Sequence, residues 1–410
     1  MTSTATSGRF DRTIAVAFIA FIVLGLPDGL LGLAWPSMRS EFTLGQDALG
    51  VFLAASIIGY MLTSFFSGKL QARFSIGWLL VLAFVVRGAA QLGILGAPTW
   101  AAVVALGFIS SLGSGMIDSG VNTYVADYAS ARLMNWLHAA FGVGATIGPF
   151  MMTKLFDEGI RWQWGFGIVG VVQLAMIPLM LWTLARWRYV SVDEDDEADV
   201  RAPLRSTLLM PAALIGIVTF AVYAGLEISA GNWSYTLFTE GRGIDETLAG
   251  WVIGIYWGSF TVGRILFGFV GNRWSEALVV RTAIGALIVG SILVWVDLAN
   301  ALTFAGLTLI GIACAPIFPL LINNTAARLS KRHAANAIGL QIAAAGFGGA
   351  VLPGAIGVTA ENIGLETIGP WLLAMSAGML VLHKALISIT VRRQRTEALA
   401  HAPTAKLPGD

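Results

Sequence analysis

The sequence predicts an all-α polytopic membrane protein, with twelve transmembrane helices in two pseudo-symmetric six-helix bundles. Three observations carry that prediction. The chain is 56% hydrophobic and only 12% charged, about half the charged share of an ordinary soluble protein. Apolar runs recur along it at close to the ~20 residues that a bilayer core demands. Features of the first half also return in the second, about 200 residues later.

The apolar runs fall at roughly 12–38, 46–68, 77–96, 100–128, 133–155 and 163–186, then 208–235, 248–270, 278–297, 301–326, 336–359 and 366–391. They are numbered helices 1 to 12. The predicted organisation is an N-terminal bundle (1–190), a linker (191–207), a C-terminal bundle (208–395) and a tail (396–410). The linker carries the acidic run Val192–Arg201 and reads as solvated chain. The first apolar run is long enough to span and is followed by no small-residue cleavage site, so it is expected to stay as helix 1. Cys314 is the sole cysteine and lies in an apolar run, so neither a disulfide framework nor a metal cluster is expected. His333 and His401 are expected in a loop and the tail. A net charge of +1 gives no reason to expect nucleic acid.

Basic residues set the expected orientation. Arg12, Lys69, Arg73, Arg132, Arg186, Arg273, Arg328, Arg332 and Arg392 fall on one side, against Arg39, Lys154, Arg161 and Arg242 on the other. The positive-inside rule then puts both termini in the cytoplasm of a cell whose cytoplasmic membrane holds the protein.

Four matches in register argue for duplication. Ser67–Ser75 (SGKLQARFS) returns as Phe267–Ser275 (FGFVGNRWS), pairing Gly68 with Gly268 and Arg73 with Arg273. GLPDGLLGLAW from Gly25 parallels AGLEISAGNW from Ala224, which sets Asp28 opposite Glu227 and Trp35 opposite Trp233. Asn122 falls opposite Asn323, and the glycine pattern ending in Pro149 opposite that ending in Pro353. Parallel six-helix repeats place a substrate site between the halves, near mid-membrane.

These residues resemble the major facilitator superfamily over essentially residues 10–395. GKLQARFSIG is similar to that family's loop 2–3 motif, with Gly68, Leu70 and Arg73 in place and Ala72 where the family has an acid. The resemblance implies that this loop braces the cytoplasmic side when the outer side is open. More narrowly, the chain looks like the fucose–galactose–proton symporters and their sodium-dependent glucose relatives. The matching features are Asp28 in helix 1, the D-x-x-x-N of Asp118 and Asn122, L-H-x-x-F-G from Leu137, and G-L-E…W from Gly225. That resemblance implies proton coupling and sugar recognition at Asp28 and Asp118.

The residues point to a site on their own account. Ionisable groups at membrane depth are costly and by default mark a pathway. Between Gly113 and Pro149, Asp118 and Asn122 share one helix face, and His138 enters from the next helix. Asp28 and Glu227 read as candidate proton carriers with Asp118. Facing each other from opposite halves, they would repel until a proton or a cation relieved them. His138 is a candidate partner for Asp118. Asn122, Asn323, Asn324 and Gln341 offer the paired donors and acceptors that suit hydroxyl groups. Trp257 is the aromatic candidate for a cavity wall beside Tyr256, whereas Trp35 and Trp233 lie near helix ends where interfacial anchoring is an equal alternative. Arg87 is a candidate counter-charge for one carboxylate; Arg264 is expected to snorkel and brace, with Gly68, Arg73, Gly268 and Arg273 as gating or structural positions.

The function expected is secondary transport of a small polar solute, foremost a monosaccharide, by proton symport with alternating access. A proton-antiport exporter and a sodium-coupled sugar symporter remain the alternatives. No phosphate-binding loop motif occurs, so ATP drive is not expected. No nucleophile–base pair suggests an enzyme. The expected partners are a small solute and the lipid bilayer, with the monomer as working unit, no cofactor, and H⁺ or Na⁺ as coupling ion.

Overall fold

The computed structural model describes residues 12–128, 131–187, 202–270, 274–329 and 331–400. Arg273, most of the acidic linker and the end of the tail lie outside the described residues. The described chain is helical, without strands. Helix 1 comprises Arg12–Gly25 and Leu31–Phe42; helices 2 to 6 are Ala48–Phe65, Ile76–Gly93, Trp100–Tyr128, Ala131–Asp157 and Gln163–Thr183. Helices 7 to 9 are Pro211–Thr236, Glu246–Val270 and Glu276–Val296. Helix 10 is Asn300–Cys314 followed by Ile317–Asn323, and helices 11 and 12 are Lys331–Asn362 and Ile368–Ala400. Among the described residues, eleven spans are long and apolar enough to cross a membrane alone. The twelfth is the two-piece helix 1. Large apolar side chains such as Val171, Trp182, Val262 and Phe269 stand exposed on the outside of the bundle, where lipid covers them.

Helix 1 was expected to run unbroken over 12–38, and it does not. Pro27 has no N–H to continue the ladder and clashes with the preceding turn, and glycines flank it at 25 and 29. The chain turns over Leu26–Leu30 instead, held by Asp28 N to Gly25 O at 3.2 Å and Leu30 N to Pro27 O at 3.1 Å. In the second half Leu226 stands where Pro27 does, and helix 7 passes through Glu227 without a break. Helix 10 breaks at its own Pro316.

Other departures are local. His333 lies in helix 11 rather than a loop, its Nδ1 2.8 Å from the Thr207 hydroxyl. The end of the linker docks beside it, with Ala202 N donating to Arg332 O at 3.0 Å. Residues 396–400 extend helix 12 rather than beginning a free tail.

Glycines let the backbones meet. A Cβ on Gly144 would sit 1.9 Å from the Ile22 carbonyl oxygen, and one on Gly25 would sit 2.2 Å from that of Phe141. Helices 1 and 5 thus touch backbone to backbone. Gly144→Val is expected to cost ~3 kcal/mol or more through overpacking. Thermal unfolding in detergent would show it, and an unchanged melting temperature would refute this account of the helix 1–5 contact.

The two halves meet where Gly32 of helix 1 packs on Gly231 and Asn232 of helix 7, and along two longer seams. Helices 5 and 8 stay together along most of their length: Gly250 packs on Thr153, Gly254 on Phe150 and Gly142 on Thr261, and the Trp136 and Phe269 rings are 6.5 Å apart. Helices 2 and 11 meet only at one end. Gly50 packs on Gly354 and Ile57 on Gly346, but about two turns further on Phe65 is 82% exposed and Gly339 has open space beside it. The molecule is therefore closed at the end bearing Arg39 and Glu240 and parted at the end bearing Arg328. Gly68 and Gly268, in the two loop motifs at the parted end, have nothing within 4 Å of an added Cβ. Arg73 ends a short helix, Ser67–Arg73, and is exposed.

The closed end is a polar latch across the halves. Arg39 donates to both Glu240 oxygens, at 2.8 and 3.0 Å. Gln46 donates from its side chain to Glu240 at 3.2 Å and from its backbone to Glu361 at 2.6 Å. Trp35 and Trp233 are fully buried beneath this latch rather than anchored at an interface. Their indole N–H groups donate to Gln46 and to the Pro353 carbonyl, respectively.

Candidate functional site

The break in helix 1 makes the centre of the site. It turns Asp28 into solvent-accessible space midway along the span, while its neighbours Pro27 and Gly29 are buried. The C-terminal carbonyls of the first half-helix lose their intrahelical partners there. Arg87, only 2% exposed, fills that need: its Nη2 donates to Leu24 O at 2.8 Å, and its Nη1 bonds Ser114 of helix 4. Arg87 is also the positive charge that acts on Asp28, and Glu227 of the other half is the negative one. Asp28 thus feels a cation of its own half and a carboxylate of the opposite half.

Asp118 and Asn122 occupy one face of helix 4, as their spacing requires. The Asn122 amide donates to Asp118 Oδ1 at 3.0 Å, and the Tyr60 hydroxyl donates to Oδ2 at 2.6 Å. Tyr60 lies within electrostatic reach of Asp28 as well. The Asn122 carbonyl oxygen is buried without a hydrogen-bond partner.

His138 does not take the place beside Asp118 that sequence suggested. Its ring packs edge-on to Phe21 with centroids 5.7 Å apart, and the charge acting on it is Arg264 of helix 8. Arg264 does not snorkel. It is half-buried, its guanidinium lies 4.1 Å over the Phe260 ring, and it is the cation acting on Glu227. Its Nε has no hydrogen-bond partner. Tyr223 and Tyr256 close the other side of Glu227. The Tyr256 hydroxyl donates to the Glu227 backbone carbonyl at 2.8 Å, and that of Tyr223 to Cys314 O at 3.0 Å.

The remaining candidates are dispersed. Trp257 is 3% exposed, packed on Gly231 and Phe260, so it forms helix contact rather than cavity wall. Gln341 is buried and accepts from Thr325 at 3.0 Å, which ties helix 11 to the end of helix 10. Asn323 is exposed, and Asn324 donates to Leu320 O at 3.0 Å while lining a separate recess near Arg328. The structure therefore gathers Asp28, Asp118, Asn122, Glu227, His138, Arg87 and Arg264, and adds Tyr60 and Tyr223. No sequence spacing links residue 60 to 118. For Arg264, the aromatic Phe260 one turn before it was the available signal. Among the described residues no cluster of three or more His, Cys, Asp or Glu could hold a metal ion.

Comparison with known proteins agrees with this architecture. The family model for the Major Facilitator Superfamily matches residues 17–239 and again 215–408. The chain is 24% identical to the glucose/mannose transporter GlcP of Bacillus subtilis over 94% of its own length and 96% of that protein. It is 24% identical to the 4-hydroxybenzoate transporter PcaK of Pseudomonas putida over 58% of this chain and 53% of that one. Among solved structures, a point mutant of nucleoside transporter NupG superposes with a TM-score of 0.72 at 14% identity, covering 91% of this chain and 98% of NupG. A bacterial homolog of the human lysosomal transporter Spinster, inward-facing and occupied, gives 0.67 at 12% identity over 93% of each chain. Matched in both halves by one family model and sharing its fold from end to end, the chain belongs to the Major Facilitator Superfamily and is an integral membrane transporter, not an enzyme.

Proposed function

We propose that the protein imports a small polar solute, foremost a monosaccharide, together with a proton. The observation that carries this reading is the placing of Asp28. It is an accessible carboxylate in a helix break, with Arg87 on its own side and Glu227 across the seam. When both carboxylates are charged they oppose closure around the site. A proton taken up from the outer side removes that repulsion, and the halves then exchange which end is sealed. Asp118, Asn122 and Tyr60 supply the acceptors and donors that a sugar's hydroxyls match. With the Arg328 end in the cytoplasm, the present arrangement is the inward-open one. The likeness to GlcP over nearly the whole of both chains supports a sugar as cargo.

Arg264 favours a second reading. A guanidinium stacked on Phe260 with an unpartnered Nε suits a substrate carboxylate beside an aromatic ring, the chemistry named in the PcaK relative.

Purified protein in liposomes with an imposed inward proton gradient tests both. Sugar-triggered acidification of the lumen, lost in Asp118→Asn, is the expected result. Acidification by aromatic acids but not sugars establishes the second reading. Sodium-dependent uptake without a pH change replaces the coupling ion. No response to any of these cargoes under either gradient overturns the import reading in favour of export.

A further inference from the structure

A second polar recess lies away from the central site, between helices 9, 10 and 12 at the Arg328 end. It has a volume of about 220 Å³, and its lining includes Glu276, Asn324, Arg328, His383, Ile387 and Thr390. His383 is the unusual member. It is 3% exposed, it lies within an apolar span, and neither ring nitrogen has a hydrogen-bond partner. Buried polar groups are almost always paired, so an imidazole with both nitrogens idle calls for an explanation.

The surroundings indicate what would satisfy it. Arg328 faces the recess while paired with Glu276 at the start of helix 9. Arg281, one turn further along helix 9, joins Arg328 in acting on His383 electrostatically. The lining itself holds one guanidinium, Arg328, and one carboxylate, Glu276, while Arg281 acts on His383 from outside it. The Thr390 hydroxyl already donates to Leu386 O and can only accept, and the Asn324 amide keeps one N–H to give. The apolar stem of Ile387 completes the wall on the helix 12 side. Basic recesses between transmembrane helices at this level suit phosphate-bearing head groups.

We propose that this recess is a binding site for a phosphate-type anion, held by Arg328 and His383 in competition with Glu276. The guanidinium donates to two oxygens of one anion. The imidazole donates to a further oxygen of the anion, which gives one of its two idle nitrogens a partner. The source is either soluble phosphate or a phospholipid head group, and the chemistry of the recess is the same for both.

Calorimetric titration of the purified full chain distinguishes these sources with three probes: inorganic phosphate, dihexanoylphosphatidylglycerol and phosphate-free dihexanoylglycerol. Saturable binding of either phosphate-bearing probe, with none of dihexanoylglycerol, is the expected result. Phosphate alone then identifies a soluble anion, and the lipid alone a head group. His383→Leu is expected to weaken binding about tenfold, the loss of one charge-assisted hydrogen bond. Glu276→Gln is expected to tighten it, because the competing carboxylate is gone; misfolding cannot produce such a gain. Absence of binding to both phosphate probes, or equal binding by wild type, His383→Leu and Glu276→Gln, overturns the proposal.

Discussion

Asp28→Asn is expected to convert an accumulating transporter into one that only equilibrates its cargo. An inward-moving positive charge gains ~2.3 kcal/mol per 100 mV, which supports roughly a 50-fold gradient of a neutral solute. Asparagine keeps the size and hydrogen-bonding reach of Asp28 but cannot exchange a proton at this position. Accumulation in energised vesicles should then fall from about 50-fold to none. Exchange of labelled for unlabelled cargo, which needs no net proton movement, should persist. Accumulation at the wild-type level in Asp28→Asn would remove this residue from the coupling role.

The second large effect is on stability. Arg87 is buried, it holds the exposed carbonyl end of the first half-helix and a serine of helix 4, and it is the cation facing Asp28. Removing Arg87 leaves the buried Leu24 carbonyl without its donor, a loss of ~1–3 kcal/mol for the unsatisfied group, and takes away the cation acting on Asp28. Arg87→Met should therefore lower the melting temperature more than any other single change among the polar residues of the N-terminal half. Adding Asp28→Asn should restore part of the loss, giving a coupling above ~1 kcal/mol in the double-mutant cycle. Strict additivity of the two changes would mean that the groups do not act on one another. The contrast between the two single variants is itself informative: Asp28→Asn is expected to impair coupling while the fold survives, and Arg87→Met to impair the fold first.

The sequence made the twelve spans legible because the bilayer imposes a length and a composition that few other environments demand. The repeat was legible for a related reason: Asp28 and Glu227, or Gly68 and Gly268, keep their register through an otherwise freely varying apolar background. The break in helix 1 was written there too, as a proline between two glycines. Hydrophobicity smooths over such a break, since all the residues around Asp28 are apolar. The pairing of side chains across the bundle was not legible. Asp118 meets Tyr60 rather than His138, and Arg264 turns to Glu227 rather than to the membrane surface. Each outcome depends on the rotation of a nearly uniformly apolar helix about its axis. Periodicity fixes that rotation only where polar and apolar faces differ. His383 was hidden for the same reason, one imidazole inside a long apolar span.

The latch at the closed end sets a further property of the molecule. Arg39 and Glu240 each keep about 28% of the side chain exposed, so the pair lies within reach of the ions of the medium that bathes it. At physiological ionic strength a charge is felt over only ~8 Å, and less as salt rises. The Arg87 guanidinium, buried among helices, does not share that sensitivity. Concentrated salt on the Glu240 side should therefore loosen the latch while the buried Arg87 contacts to Leu24 and Ser114 stay in place. The balance between the two orientations becomes a reading of the ionic strength on the Glu240 side.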